Sequence, residues 1–183
     1  PLTHVLERSW SYGILSMGIQ LWYCEDHNEI LECLSEANTH VMNSAPRLFE
    51  KIYSTLYTKI RTASPMKQKL FHWSVEVGRQ HGDLVLAGIQ PPGFLTLKRK
   101  FADKLVLHKV RALFGTNMHH LNYGGAALNP EIDKFFFYCG VLITSGYGLT
   151  ETSPVLTMNS PHYFKFGSVG PTVPLVDIRI DPD

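Results

Sequence analysis

Apolar and polar positions alternate most clearly in the first half of the chain. Leu48, Phe49, Ile52, Tyr53, Leu56, Tyr57 and Ile60 recur at three- and four-residue steps, which puts them on one face of an α-helix. Ser44 stands where it can cap that helix, and Pro46 falls in the first turn, where a missing N–H does no harm. Ser64-Pro65 starts a second helix, with Met66, Leu70, Trp73 and Val77 predicted as its inner face. Gly82 and then Pro91-Pro92-Gly93 interrupt regular structure. A third helix is predicted over 97–114. It would bury Leu97, Phe101, Leu105 and Val110 and carry Lys98, Arg99, Lys100, Lys104, Lys109 and Arg111 outside. Upstream, helices are predicted over 7–17 and 28–36, with a brief buried strand at Val41-Met42.

The pattern changes after residue 116. Residues 117–123 predict a strand followed by a turn at Gly124-Gly125, and Asn129-Pro130 opens a helix that Gly140 ends. The β-branched run 141–144 predicts a buried strand, then a glycine-rich turn. Strand, helix, strand and glycine turn are the order of an α/β fold, a parallel-type sheet flanked by helices. Residues 167–170 predict a loop and 173–180 a final strand.

Composition keeps this picture globular: 44% of the 183 residues are hydrophobic and 18% charged, which excludes a disordered chain. The longest apolar run, 135–143, is too short to cross a membrane. Cys24, Cys33 and Cys139 have no metal or redox spacing and predict reduced, buried thiols in a cytoplasmic protein. Charge is the one asymmetry. Residues 47–111 hold thirteen Lys and Arg against four acids, while the rest holds four against twelve. A basic segment of this kind is either a solvated helical face or a surface for a membrane, a phosphate-rich ligand or nucleic acid.

Ligands of open α/β sheets sit beyond the carboxyl ends of the strands. Ser145-Gly146-Tyr147-Gly148-Leu149-Thr150-Glu151-Thr152 follows the 141–144 strand. Its glycines admit close backbone approach, Tyr147 offers a ring to a flat base, Thr150 a hydroxyl to a phosphate, and Glu151 a hard carboxylate to Mg²⁺. The same residues also read as a tight turn with an exposed tyrosine. No glycine stands two before Ser145, so this is not the elbow of a serine hydrolase. His119-His120 resembles a metal pair, but neighbouring strand side chains point to opposite faces.

Gly146 to Thr152 resembles the adenine motif of the adenylate-forming (AMP-binding) superfamily. Four further blocks are similar in order: Pro1-Leu2-Thr3-His4-Val5-Leu6-Glu7-Arg8-Ser9, Ala45 to Tyr53 (APRLFEKIY), Gly124-Gly125-Ala126-Ala127-Leu128, and Gly167-Ser168-Val169-Gly170. The first two resemble long-chain acyl-CoA synthetases in particular. The resemblance implies a central piece, 1–183, of the large N-terminal domain, with a basic helical insert over 44–115 and an α/β segment over 116–183. It implies ATP, Mg²⁺ and coenzyme A, with a fatty acid as co-substrate and no nucleic acid. Gly146, Tyr147 and Gly148 would hold the adenine, with Gly124, Gly125 and Ala126 lining its other side. Thr150 would meet the α-phosphate, Glu151 would hold Mg²⁺, and His4 would gate the pocket near the reacting carboxylate. Trp10 is either core or a wall of the acyl tunnel. Asn122-Tyr123 departs from the small residue the family places before Gly-Gly.

The family's lysine-bearing phosphate loop is expected upstream of Pro1. Its ribose-binding aspartate, hinge and C-terminal domain are expected beyond Asp183, so the isolated chain is expected to be inactive. A medium-chain or aryl-acid ligase is the alternative enzyme. A non-catalytic membrane- or nucleic-acid-binding module on helices 47–111 is the alternative of another class. A ligase whose basic helices approach the inner face of a membrane combines the two.

Overall fold

The computed structural model describes residues 4–26 and 28–181. Pro1, Leu2 and Thr3 of the first motif block lie outside the described residues. Helices α1 (Val5–Ser16) and α2 (Ile30–Ala37) precede strand β1 (Val41–Ser44). Next come α3 (Pro46–Arg61), α4 (Pro65–Leu86) and α5 (Gly93–Ala102). A π-helical turn at Asp103–Leu107 joins α5 to the short α6 (His108–Arg111). Strand β2 (His120–Tyr123), helix α7 (Pro130–Tyr138), β3 (Ile143–Gly148) and β4 (Val155–Met158) complete the chain order. The sheet order is β1-β2-β3-β4. The first three strands are parallel, and β4 returns antiparallel to β3. The fold is α/β, as the residue pattern predicts, with one antiparallel strand added.

Aromatic packing joins helices to sheet. Phe49 of α3 meets Phe114, Tyr123 and Phe136 at ring distances of 6.2–6.4 Å. Phe135 meets Tyr53 at 5.0 Å and Tyr57 at 5.6 Å. The α3 periodicity is therefore the core face, with Phe49 and Ile52 fully buried. The helix cap is Ala45, without a side-chain bond, because Ser44 is held in β1. Val41 is exposed on an edge strand, not buried.

Two helical faces differ from the expectation. The inner face of α4 is Phe71, Ser74, Val77, Gly78 and Gly82, while Met66 and Trp73 are exposed. Gly82 does not break the helix. A Cβ there would sit 2.8 Å from the Tyr138 ring, and one on Gly78 would sit 2.5 Å from the Tyr138 carbonyl oxygen. The two glycines let α4 and α7 cross at backbone distance. In the α5–α6 segment the buried residues are Leu95, Ala102, Leu107, Val110 and Phe114, whereas Leu97, Phe101 and Leu105 face outward. A π turn changes the angular step between residues, so a 3.6-residue count cannot carry one face through it.

Arg99 and Arg111 also turn inward. Both bind Asp103, with Arg99 Nη1 to Oδ1 at 3.1 Å and Arg111 Nη2 to Oδ2 at 2.9 Å. The same guanidiniums donate to the Tyr138 and Cys139 carbonyls at 3.2 and 3.0 Å, closing the carboxyl end of α7. Hydrogen bonds from Arg111 hold the Asp103 carboxyl below the usual carboxylate range. Asp103→Ala would leave two half-buried cations without their anion. We expect a loss of about 2 kcal/mol in chemical denaturation, less than for a fully buried pair.

Cys139 is buried, but Cys24 and Cys33 are half-buried, and their sulfurs lie 3.0 Å apart. That hydrogen bond pushes the Cys24 thiol up to about 11. Residues 173–180 form no strand, and an isolated bridge from Thr157 to Thr172 is the last sheet contact.

Candidate functional site

The parallel register aligns Ser44, Tyr123 and Ser145 across the carboxyl ends of β1, β2 and β3. Beyond that line lie Pro46, the Gly124-Gly125 turn and Gly146-Tyr147-Gly148. The first turn of α1 joins them: a Cβ on Gly124 would come 3.1 Å from Leu6 Cδ2 and 3.7 Å from the Gly146 carbonyl. Four of the motif blocks thus converge on one edge of the sheet. Gly125 and Ala126 are exposed at its rim. A separate cavity of about 300 Å³, lined by His108, Phe114 and His120 among others, opens at the amino ends of β2 and β3, away from the motif.

Gly146, Tyr147 and Gly148 are not in a turn after the strand, as the 141–144 run suggests. They are the end of β3 itself, paired with Met158, Thr157 and Val155 of β4. The turn comes one residue later, at Thr150–Thr152. Thr152 holds it closed: its hydroxyl accepts from Leu149 N–H at 2.9 Å and donates to the Pro154 carbonyl at 2.6 Å. The side chains of Thr150 and Glu151 are exposed and find no hydrogen-bond or ion-pair partner among the described residues. Tyr147 is 45% exposed.

Ser145 is structural. It is buried, and its hydroxyl donates to Ser168 O at 2.9 Å. Asn159 Nδ2 donates to Ser145 Oγ at 2.7 Å and to Ser168 O at 2.6 Å. This network ties β3 to the 167–170 loop. Neither Thr152 nor Asn159 stood out as a positioning residue in the residue pattern. The threonine's place in a turn was a local signal, whereas the asparagine's contact arises only from the fold. Asn122 is also absorbed by the sheet, accepting from Thr144 Oγ1 at 2.6 Å. Tyr123 packs edge-on to Phe49 at 6.4 Å.

His4 caps α1, its Nδ1 accepting from Leu6 N–H at 3.3 Å, and its ring is exposed. Trp10 is half-buried. His119 stacks on His40 at 5.6 Å, while His120 Nε2 lies 3.0 Å from Thr144 Oγ1, so the two histidines do diverge. Among the described residues no three His, Cys, Asp or Glu side chains gather to bind a metal. Glu151 is a single free carboxylate, which suits Mg²⁺ only if phosphate oxygens and water complete the shell.

The profile of the AMP-binding enzyme family matches residues 1–183. The chain is 32% identical over 185 residues to the long-chain-fatty-acid–CoA ligase FadD15 of Mycobacterium bovis, covering all of this chain and 30% of that protein. It is 27% identical to the peroxisomal long chain acyl-CoA synthetase 6 of Arabidopsis thaliana, covering 98% of this chain and 24% of that one. The chain therefore spans less than a third of these relatives. The fold is similar to the N-terminal domain of FACL13 from Mycobacterium tuberculosis. The TM-score is 0.50 at 12% identity, over 88% of this chain and 29% of that one. With a family profile matched from end to end and the family's motif blocks brought together at one edge of the sheet, the chain belongs to the AMP-binding enzymes.

Proposed function

We propose that this chain forms one wall of the adenylation site of an AMP-forming ligase that activates a long-chain fatty acid. The observation that carries this reading is the pair of side chains, Thr150 and Glu151, exposed and without partners among the described residues, on a turn that Thr152 holds closed beside a half-exposed tyrosine. Here the protein fixes the backbone and leaves a hydroxyl and a carboxylate aimed at solvent.

The fatty acid carboxylate oxygen attacks the α-phosphorus of ATP, and the bond to the β-phosphate bridging oxygen breaks, releasing pyrophosphate. The thiolate sulfur of coenzyme A then attacks the acyl carbon and AMP leaves. Tyr147 stacks on the adenine from one side, with Gly124, Gly125 and Ala126 on the other. Thr150 donates to an α-phosphate oxygen. Glu151 holds Mg²⁺, which, when bound, neutralises charge on the phosphates. His4 stands at the α1 entrance, beside the Gly124 turn. These groups act by positioning and electrostatics, with no protein nucleophile.

The test uses the full-length enzyme. Thr150→Ala and Glu151→Gln should each lower fatty-acid-dependent pyrophosphate release roughly a hundredfold, the scale for losing one fixed charge-stabilising group. Unfolding midpoints should stay unchanged, because neither side chain bonds to another among the described residues. Wild-type rates in both variants would refute the reading. Competition among acids of graded length separates a long-chain enzyme from a medium-chain or aryl-acid ligase.

A further inference from the structure

Two of the three cysteines meet outside the hydrophobic core. Cys24 lies in the stretch without regular structure between α1 and α2. Cys33 lies in the first half of α2, its N–H held by the Glu29 carbonyl at 2.9 Å. Their sulfurs are 3.0 Å apart, and the Cys24 thiol points both to Cys33 and to the Asp26 carbonyl, also at 3.0 Å. The two residues are nine positions apart in the chain, so local geometry alone brings them together. The helix fixes Cys33, the irregular stretch leaves Cys24 room to shift, and a bond between the sulfurs needs a further approach of only about 1 Å. Metal binding does not account for the pair, since no three His, Cys, Asp or Glu side chains gather to hold an ion among the described residues.

Charge narrows the reagent that such a pair takes. Glu25, Asp26, Glu29, Glu32 and Glu36 surround the cysteines in sequence, and no Lys or Arg occurs from residue 9 to residue 46. Lys51 reaches Asn28 at 3.2 Å and still leaves the segment negative. An anionic oxidant such as glutathione disulfide is repelled there, whereas a small neutral hydroperoxide is not.

We propose that Cys24 and Cys33 form an oxidative modification site, a dithiol that a hydroperoxide converts to a reversible disulfide. The Cys33 sulfur attacks one oxygen of hydrogen peroxide, the O–O bond breaks, and the departing oxygen leaves as water with the Cys33 proton. The Cys24 sulfur then attacks the Cys33 sulfenic acid, the S–O bond breaks, and a second water carries off the Cys24 proton. The two sulfurs together lose two electrons to the peroxide. The order follows from the hydrogen bond. Cys24 is its donor, with a thiol pushed up to about 11, so Cys24 stays protonated until it resolves the sulfenic acid. The new bond closes residues 24–33 into a ring. Next to that ring Tyr23 OH donates to Ser11 of α1 at 3.1 Å, and Asn38 at the end of α2 accepts from Thr116 N–H at 3.0 Å. Oxidation therefore fastens the α1 connection to α2. The inference goes beyond the adenylation site and does not depend on it, since neither cysteine belongs to that site.

The experiment treats the full-length enzyme with hydrogen peroxide under native conditions, alkylates the remaining thiols after denaturation, and cuts with a glutamate-specific protease. Glu25, Glu29 and Glu32 lie between the cysteines, so the cut separates Cys24 from Cys33 unless a disulfide joins the two peptides. Wild type should lose both thiols together, to a joined pair that is lighter by two hydrogens and that dithiothreitol separates. This should happen at a dose that leaves the buried Cys139 a thiol. Cys24→Ser should instead leave Cys33 as a sulfenic acid trapped by dimedone. In Cys33→Ser, Cys24 should react at least roughly tenfold more slowly than Cys33 does in Cys24→Ser. Both variants should keep the wild-type melting temperature. Three outcomes overturn the site: thiols that stay separately alkylated at every dose short of the one at which Cys139 reacts, two sulfurs that reach sulfinic acid without joining, or either one joined to a cysteine elsewhere. Equal rates in the two serine variants overturn the order of the steps.

Discussion

Gly148→Ala should abolish fatty-acid activation in the full-length enzyme, while Gly146→Ala, two residues away in the same motif, should leave its fold intact. A Cβ on Gly148 would lie 1.6 Å from the Pro154 carbonyl oxygen and 3.1 Å from the Val155 Cα. Both obstacles are backbone, so no rotamer change relieves the overlap. The strand pairing already shifts register between Tyr147 and Gly148, where β3 bends into the turn that carries Thr150 and Glu151. To admit a methyl group, that turn must open and give up the Leu149 N–H to Pro154 O bond of 3.1 Å. We expect a loss of about 3 kcal/mol or more in urea unfolding, at the upper end for overpacking. Pyrophosphate release should fall by roughly three orders of magnitude, since Thr150 and Glu151 move with the turn. At Gly146 the nearest atom to an added Cβ is the Thr157 carbonyl oxygen at 3.5 Å, an ordinary contact. Its alanine variant should lose less than about 1 kcal/mol. Equal losses in the two variants would mean that the glycines serve flexibility and not the close strand return.

That contrast also shows how far the residues could be read without coordinates. The α/β order placed the seven motif residues beyond the carboxyl ends of the parallel strands, where the structure has them. What it could not supply was the antiparallel β4, because Val155–Met158 is a short run with no turn of recognisable type before it. Without β4, Gly148 looks like a hinge; with it, Gly148 is the point where two backbones nearly touch. The α4 and α5 faces failed for a related reason. Gly82 resembles a helix breaker in one dimension, and only the presence of Tyr138 across the interface shows that it forms a helix crossing together with Gly78. Leu97, Phe101 and Leu105 keep perfect helical spacing, yet spacing identifies a shared face and not which side of the helix the core lies on. The lysines between them were legible as charge. Their placement beside an apolar stripe was not.

The second large effect concerns Asp133, a carboxylate with no role in the sequence pattern beyond lying in the acidic first turn of α7. It is 5% exposed, and among the described residues its Oδ1 has no hydrogen-bond partner. Burial alone pushes its carboxyl up to about 7. The sign follows from proton binding. Between pH of about 4 and 7 the folded state holds a proton that the unfolded chain has released, so stability falls as pH rises through that window. Above about 7 the folded carboxylate is charged, and the penalty levels off at no more than about 4 kcal/mol. Asp133→Asn keeps the shape and removes the charge. Relative to wild type it should gain roughly 2 to 3 kcal/mol between pH 5 and pH 8, most of it below pH 7. Urea unfolding at the two pH values measures the difference directly. A gap that stays constant from pH 5 to pH 8 would show that the carboxylate is stabilised when charged, by a cation or water reaching Oδ1. A gap that widens as predicted would mean that α7, which carries Phe135 and Phe136 into the core, holds its acid protonated as the enzyme folds.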